Sequence, residues 1–313
     1  SLAAGVIEAK YVNHIPLNRL SEDFRRKDAV ISRQVLAGWM VSLPERFLVG
    51  FYRHMQSKLL ESQLIHCDET PFKVISNGRS SNSKDYMWVF HTCERYGSPP
   101  IYLYNYHEGK RDLEALSNFI GDYSGILMTD GYQVYHSLEN ASQDRINVAG
   151  CWAHLKRLYV NYLKSVGSKN TKGLIADEGN KRIAAIYHVD NMHKDKDKDD
   201  RFRNRHDSVK PLVDAYFAWA KDIDSQSTID KSSAVGKAIT YSINQEPYLR
   251  KFLDNAIIPL DNNDAERSIR SFCVGKHSWH VIGTRKGAYS SAILYSIAET
   301  AKANNLKTFE YFK

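Results

Sequence analysis

The 313-residue chain lacks the features that would place it in several specialised classes. No apolar run approaches the roughly 20 residues that a membrane helix needs, and the start Ser1-Leu2-Ala3-Ala4-Gly5 is no signal peptide. Its four cysteines form no C-x-x-C pair, which excludes a disulfide framework and favours a reducing compartment. We therefore expect a cytoplasmic protein without a membrane partner.

What is present is the composition of an ordinary folded protein. With 42% hydrophobic and 25% charged residues, neither disorder nor a collagen-like fibre fits. Lys and Arg number 43 against 36 Asp and Glu, and the resulting net charge of +7 suits a polyanionic partner such as nucleic acid. The sequence has no initiator Met, so we expect it to be a fragment of a longer chain.

Residues 1–60 have the pattern of a helical segment. Ser32 is a candidate N-cap, followed by apolar residues at helical spacing. A short helix, a tight turn and a second helix that begins Ser-Arg-Gln resemble a helix-turn-helix. The alternative is a small bundle that packs on the next domain.

Residues 61–150 alternate strand-like runs with helical stretches. The first runs end near Cys67 and Ile75, a turn is predicted at Asn77-Gly78, and aromatic runs at 86–90 and 101–104 complete an antiparallel meander. Two later runs, 125–129 and 146–149, are separated by a helix. This order predicts an α/β protein with a mixed five-stranded sheet and flanking helices, and it fits the ribonuclease H-like fold.

The remainder of the chain is predicted to be mostly helical. Residues 151–258 contain no convincing strand and are interpreted as an all-helical insertion. Residues 259–313 complete the core with a helix that opens at Asp261-Asn262-Asn263 and a C-terminal helix that ends at Asn304-Asn305. One catalytic core interrupted by an insertion, with a helical segment before it, is the predicted organisation.

Two aspartates follow strand-like runs in this pattern. Asp68 ends the first predicted strand and Asp130 ends the fourth, so adjacent strands would bring both carboxylates together. Their repulsion would be offset by a divalent cation, and a third acid from a helix would complete an oxygen-only site for Mg²⁺ or Mn²⁺. Each Asp could instead form a turn. For Glu266 the rival role is a capping box with Asn263 as N-cap.

The three acids lie within a set of five motifs that occur in a fixed order, and the set is far more specific than any acid alone. The motifs are His66-Cys67-Asp68-Glu69-Thr70-Pro71, Met128-Thr129-Asp130-Gly131-Tyr132, Gly150-Cys151-Trp152-Ala153-His154, the run from Asp261 to Arg270, and the tail from Ala292 to Lys302. Together, over nearly the whole chain from about Tyr11, they resemble the transposases of the insertion sequence 66 family, which belong to the Asp-Asp-Glu (DDE) class.

The resemblance implies a function and a site. Asp68, Asp130 and Glu266 would be the catalytic acids and would hold two Mg²⁺ (or Mn²⁺) ions for transposon-end cleavage and strand transfer. The implied partners are transposon and target DNA in a nucleoid-associated setting, a homodimer or higher oligomer on DNA, and possible accessory proteins of the element. Family members also carry upstream DNA-binding and zinc-binding segments. Glu69 would point to the opposite strand face and is not a predicted ligand.

Basic residues near the motifs are candidate DNA contacts. The predicted contacts are His154, Lys156, Arg157, Arg267 and Arg270. Cys151-x-x-His154 could be half of a zinc site, or a buried Cys and Trp with a partly exposed His; the resemblance implies that it lies near the active site and helps hold DNA. Arg270 could instead pair with Glu266 at i,i+4.

Some positions depart from the family pattern. The stretch Val274–Trp279 usually reads Gly-Arg-Lys-Asn-Trp, and Lys156-Arg157 stands where paired Arg is common, which puts the strength of DNA contact in doubt. Two other functions stay open. A degenerate remnant would bind DNA without cutting it, although all three acids are present. A general ribonuclease H-like nuclease is the other, against which the C-x-x-H motif and the long insertion weigh.

Overall fold

The structure is a computed structural model of the chain that describes residues 1–76, 78, 83–92, 94, 97–167, 171–226 and 229–313. Cys93 and Asn77, the first residue of the predicted turn, lie outside the described residues. Within these ranges, no helix is both long enough and apolar enough to cross a bilayer.

The first sixty residues are helical, as predicted. The helices are α1 (Leu2–Ile7), α2 (Leu17–Arg26), α3 (Arg33–Leu43) and α4 (Val49–Leu60), with π-helical turns at Glu8–Val12 and Pro44–Leu48. The start of α3 is the predicted one, because the Ser32 side chain accepts a hydrogen bond from the N–H of Val35.

Strands and helices alternate from residue 64 to residue 150. In chain order they are β1 (Leu64–Phe72), β2 (Val74–Ser76), β3 (Asp85–His91), β4 (Tyr102–Asn105), α5 (Leu113–Ile120), β5 (Gly125–Thr129), α6 (Gln133–Ala141) and β6 (Ile146–Gly150). Five of these strands form one sheet in the order β4-β3-β1-β5-β6. The predicted antiparallel meander is confirmed for β1, β3 and β4, since β3 pairs antiparallel with both neighbours.

The insertion is helical throughout its described residues, as predicted. Its helices are α7 (Trp152–Val166), α8 (Ile175–Asn191), α9 (Lys198–Asn204), α10 (Lys210–Ser225), α11 (Ala234–Leu249) and α12 (Lys251–Asp254), with a π-helical turn at Arg205–Val209. The chain then ends with α13 (Asn263–Trp279), β7 (Ile282–Thr284), α14 (Arg285–Ala303) and α15 (Thr308–Phe312). The end of α14 at Asn304 matches the prediction.

Two sequence predictions about strands were wrong. Strand β1 does not end at Asp68 but continues through Pro71 to Phe72, because Thr70, Pro71 and Phe72 keep their pairing with Met87, Tyr86 and Asp85 of β3. Strand β2 is not part of the meander; it pairs in parallel with β7 in a separate two-stranded sheet. Asp68 therefore lies in the middle of a strand, whereas Asp130 directly follows β5, as predicted.

The chain divides into two compact units. The first contains Ser1–Gly125, Asn140–Ile146 and Asp264–Lys313, and the second contains Ile126–Glu139 and Asn147–Asn263. The core of the first unit buries Leu36 and Met40 of α3 together with Val89 of β3 and Tyr295 of α14. The N-terminal helices thus pack on the strands, as the bundle alternative expects, and the helix-turn-helix comparison stays a prediction.

Candidate active site

Asp68 projects from one face of the antiparallel strands. It pairs in register with Val89 of β3, which pairs with Tyr104 of β4. Residues directly opposite one another across antiparallel strands point to the same face, as do alternate residues along one strand. Asp68 and Tyr104 therefore share a face with Thr70 and Phe72. The Asp68 carboxyl is half-buried, and its Oδ1 accepts a hydrogen bond of 2.8 Å from the N–H of Glu69.

Helix α13 lies on that same face. The Tyr104 hydroxyl donates to the carbonyl oxygen of Ser268, and the Phe272 and Phe72 rings meet edge to face at 5.3 Å. Farther along α13, the thiol of Cys273 lies 3.5 Å from Thr70 Oγ1. Since Asp68 and Thr70 are two residues apart on β1, their side chains both point toward α13.

These contacts also show which end of α13 lies near Asp68. Ser268 of α13 meets Tyr104, which lies level with Asp68 in the strand register, whereas Cys273 reaches Thr70. Glu266 stands two residues before Ser268 and seven before Cys273, nearly two turns from Cys273 on the same helix edge. The half-buried Glu266 therefore lies on the part of α13 that begins near the level of Asp68.

The neighbouring acid, Glu69, points the other way, as predicted. Its side chain is 2% exposed and forms an ion pair with Arg111, whose Nε lies 2.7 Å from Glu69 Oε1. Arg111 also sits over the ring of Tyr86, 5.2 Å from its centroid. Glu69 therefore has a structural partner on the face opposite Asp68.

The observed start of α13 does not match the capping box that was the rival role for Glu266. Helix α13 begins at Asn263, so Glu266 is its fourth residue, one position beyond the N3 site that a capping box requires. The carboxylate of Asp261 accepts the N–H of Asn263 at 3.1 Å. Capping at this end therefore includes Asp261, the first residue of the predicted helix opening.

Asp130 belongs to the second unit, whereas Asp68 and Glu266 belong to the first. Asp130 is half-buried, and its Oδ1 accepts a 2.8 Å hydrogen bond from the N–H of Tyr132. The turn-forming role that was the alternative for this residue is thus observed, and it occupies one carboxylate oxygen. Tyr241 of α11 packs on the same turn at Gly131, a contact that no sequence motif predicted.

The Cys151-x-x-His154 motif holds parts of the second unit together. Cys151 is fully buried, and its sulfur accepts a hydrogen bond of 3.1 Å from the N–H of Asn262. Burial raises the pKa of the Cys151 thiol to about 12, so the thiol is protonated at neutral pH. Trp152 is also buried and donates from Nε1 to the carbonyl of Leu249 at 2.8 Å, while His154 is half-buried. The buried Cys and Trp are confirmed, and the half-zinc interpretation is not supported.

The predicted DNA contacts occupy two helices. His154, Lys156 and Arg157 are on α7, where Arg157 is exposed and the Lys156 ammonium lies 5.4 Å from the centre of the Tyr187 ring. On α13, Arg267 and Arg270 are both exposed, and Arg267 forms an ion pair with Asp264.

The donor chemistry of the three acids fits a hard divalent cation. Carboxylate oxygens are the ligands that Mg²⁺ prefers, and Asp68 and Glu266 lie on one face of a single unit. Across the ranges that the structure describes, no group of three or more His, Cys, Asp or Glu side chains is placed to hold a metal ion. The first unit thus contains Asp68 and, on the same face of its strands, the helix that carries Glu266.

Comparison with known proteins identifies the class of protein to which this chain belongs. Residues 1–290 match a family of transposases, enzymes that move segments of DNA. That family is described as Transposase IS66 family, and the chain belongs to it.

Three relatives from Sinorhizobium fredii (strain NBRC 101917 / NGR234) align with almost the whole chain. They are the uncharacterized proteins y4qI (26% identical, 99% of this chain and 57% of the relative), y4jD (24%, 99% and 60%) and y4hP (24%, 98% and 56%). The chain therefore spans less than two thirds of the length of each of these relatives.

Proposed function

We propose that the chain carries the catalytic core of a DNA transposase that cleaves transposon ends and transfers the cut strands to target DNA. Asp68, Asp130 and Glu266 are the proposed catalytic acids. The observation that carries the proposal is that α13, the helix of Glu266, packs on the face of the sheet from which Asp68 projects, with Ser268 against Tyr104 and Cys273 against Thr70. Membership of the transposase family supports the same conclusion.

A ribonuclease H-like core is part of this proposal. In the sheet order β4-β3-β1-β5-β6, strands β1, β3 and β4 are neighbours, and the later strands β5 and β6 lie on the other side of β1. Such a fold delivers acids from different strands and from a helix to one place. The interruption by helices α7 to α12 accounts for most of the 136-position separation of Asp130 and Glu266 in the chain.

Two Mg²⁺ or Mn²⁺ ions, when bound by the three acids, would lower the pKa of an attacking hydroxyl group and stabilise the charge of the leaving oxygen. The chain's own residues orient the reactants. The half-buried positions of Asp68 and Glu266 restrict water around their carboxylates, which strengthens their attraction for cations. The packing of α13 on Phe72 and Thr70 fixes the helix that carries Glu266.

The DNA backbone is proposed to contact the cations of α7 and α13. His154, Lys156 and Arg157 would hold phosphates from α7, and the exposed Arg267 and Arg270 would do so from α13. Each lost cation should weaken binding by a similar factor on any sequence and reduce its salt dependence. Assembly as a homodimer or higher oligomer on DNA, with or without accessory proteins, stays a prediction.

The direct test replaces each acid by its amide in the longest natural form of the protein. Asp68→Asn, Asp130→Asn and Glu266→Gln should each abolish Mg²⁺-dependent cleavage of DNA that carries the element's own ends, while end binding in a gel-shift assay persists. Glu61→Gln is a matched control, because Glu61 is an exposed acid that pairs with Lys58 on the surface. Cleavage at the wild-type rate by any of the three variants would remove that residue from the site.

Metal rescue distinguishes a ligand from a general structural role. A cysteine in place of a ligand accepts softer ions than Mg²⁺. Asp68→Cys and Asp130→Cys should therefore be inactive in Mg²⁺ and regain cleavage in Mn²⁺. If the wild-type protein binds DNA but does not bind Mn²⁺ even with DNA present, the binding-only remnant becomes the better description. Digestion of an RNA–DNA hybrid with no activity on element ends would instead favour a general nuclease.

A further inference from the structure

Two tyrosines of helix α11 lie against two glycines of the same unit. Tyr241 packs against Gly131, and Tyr248, seven residues later on the same helix face, packs against Gly150. Gly131 directly follows Asp130, and Gly150 directly precedes Cys151. The helical insertion is therefore in contact with the turn that carries the second proposed acid.

The contact at Gly131 is too close for any other residue. A Cβ atom at this position would lie 2.6 Å from the Tyr241 hydroxyl oxygen and 2.7 Å from a ring carbon. Real side chains do not approach so closely, so an alanine would displace either the ring or the turn. The glycine of Thr129-Asp130-Gly131-Tyr132 thus provides the space that Tyr241 occupies.

Both N–H groups that follow Asp130 are bound within this arrangement. The N–H of Gly131 donates to the Tyr241 hydroxyl oxygen, and the N–H of Tyr132 donates to Asp130 Oδ1 at 2.8 Å. Burial, followed by the charges of Cys151 and Asp130, raises the pKa of the Tyr241 phenol. The phenol is consequently neutral at physiological pH.

We propose that Tyr241 is a positioning residue for Asp130: by accepting the Gly131 N–H, its hydroxyl holds the Asp130 turn in the conformation that binds the divalent cation. This inference rests on the proposed function, because it needs Asp130 to be a metal ligand. The helical insertion would then have a structural role at the site, because its helix α11 supports Asp130 without being part of the sheet. Groups that orient a metal ligand without touching the metal typically change metal affinity by about 10-fold to 100-fold when removed.

The chain offers a matched pair of substitutions. Tyr241→Phe removes only the hydroxyl that accepts the Gly131 N–H and keeps the ring in place. Tyr248→Phe removes a hydroxyl from the same helix face, where the Tyr248 ring stacks on His136 at 3.8 Å and the backbone and Cβ of Tyr248 lie against Gly150. The control therefore reports the effect of losing a tyrosine hydroxyl from α11 away from the Asp130 turn.

Binding is measured with Mn²⁺ alone, from the electron paramagnetic resonance signal of free Mn²⁺ in a titration of the full-length protein. We expect Tyr241→Phe to bind Mn²⁺ about tenfold more weakly with an unchanged melting temperature, and Tyr248→Phe to bind like the wild-type protein. Cleavage by Tyr241→Phe should need correspondingly more Mn²⁺ and reach the wild-type rate at saturation. Hydrogen exchange at the Gly131 amide should be faster in Tyr241→Phe only.

Wild-type Mn²⁺ affinity in Tyr241→Phe would overturn the inference, as would equal losses in both variants. If Tyr241→Phe proved unstable, the exchange rate of the Gly131 amide in wild-type protein would still decide, because an unprotected amide excludes the hydrogen bond. The Asp130→Asn variant distinguishes a failure of the proposed function from a failure of this inference. Unchanged Mn²⁺ binding by Asp130→Asn contradicts the proposed function itself, whereas a loss there with none in Tyr241→Phe contradicts this inference alone.

Discussion

The sulfur of Cys151 accepts a hydrogen bond from the backbone N–H of Asn262, 111 residues later in the chain. This bond joins the C-x-x-H motif to the segment immediately before α13. A second bond at the same place, from the N–H of Trp152 to the carbonyl of Leu260 at 2.9 Å, runs beside it. The C-x-x-H motif and residues 260–262 are thus held together within the second unit, although they are far apart in sequence.

Replacement of Cys151 by alanine should destabilise the protein. The Asn262 N–H would lose its acceptor inside a buried site, which costs about 1–3 kcal/mol in free energy of unfolding. Urea denaturation of Cys151→Ala and wild-type protein measures this difference. A stability equal to that of the wild-type would contradict the role assigned to the sulfur.

Reactivity gives a separate check on Cys151. Because burial raises its pKa to about 12, the thiol should resist alkylation at pH 8 until the protein unfolds. The half-buried Cys273 should be modified before Cys151. Peptide mass spectrometry after timed iodoacetamide treatment identifies the order, and early labelling of Cys151 would be inconsistent with its burial.

Arg205 should be among the most sensitive positions of the second unit. Its fully buried guanidinium pairs with Asp190, with Nε 2.7 Å from Oδ1, and its Nη1 donates to the carbonyls of Phe252, Asn255 and Ile258. Arg205→Met would leave the Asp190 charge unpaired in a buried site and should cost about 3–5 kcal/mol. The double variant Arg205→Met/Asp190→Leu should recover part of the loss in chemical denaturation; an equal or greater loss would contradict the pairing argument.

Lys10 should make stability depend on alkaline pH. Its ammonium lies 5.3 Å from the centre of the Tyr11 ring and 5.9 Å from that of Trp279, and burial lowers its pKa to about 8, below the usual 10.5. Between these two values the unfolded chain binds the proton and the folded protein does not. The Lys10 contribution to the free energy of unfolding therefore rises with pH in that window, by up to about 1.4 kcal/mol per unit.

The measurement for Lys10 is a difference between two proteins. Lys10→Met has no such group, so its stability relative to the wild-type should fall as the pH rises from 8 to 10, while the other titrating groups cancel. Denaturation at several pH values in this range gives the slope. A difference that does not vary with pH would mean that the Lys10 pKa is close to its usual value.

Glu69 provides a contrast to Asp68 one residue away. Glu69→Gln should destabilise the protein, because it weakens a nearly buried ion pair with Arg111, yet leave Mn²⁺ binding and cleavage per folded molecule unchanged. Asp68→Asn should show the opposite pattern. Calorimetric unfolding and Mn²⁺ titration of both variants test this, and loss of Mn²⁺ binding in Glu69→Gln would place both acids at the site.

Local chemistry made several elements predictable from the sequence alone. The Ser32 side chain starts α3, Asn304 ends α14, and the apolar run 125–129 ends as a strand directly before Asp130. Each depends on residues close together in the chain, and short-range hydrogen bonds or apolar periodicity determine it. The motifs around Asp68, Asp130 and Glu266 likewise identified the family that the comparison confirmed.

Contacts between residues far apart in the chain determined the extent of β1 and the surroundings of the candidate site residues. The first strand was expected to end at Asp68, yet pairing with β3 carries β1 on to Phe72 and places Asp68 in mid-strand. Only packing reveals that Asp68, Thr70 and α13 share a face, that Cys151 binds the Asn262 amide, and that Tyr241 fills the space above Gly131. The partners in the last two pairs are 110 or more residues apart, so no local pattern encodes these contacts. They arise only when the folded chain brings complementary shapes and hydrogen-bonding groups together.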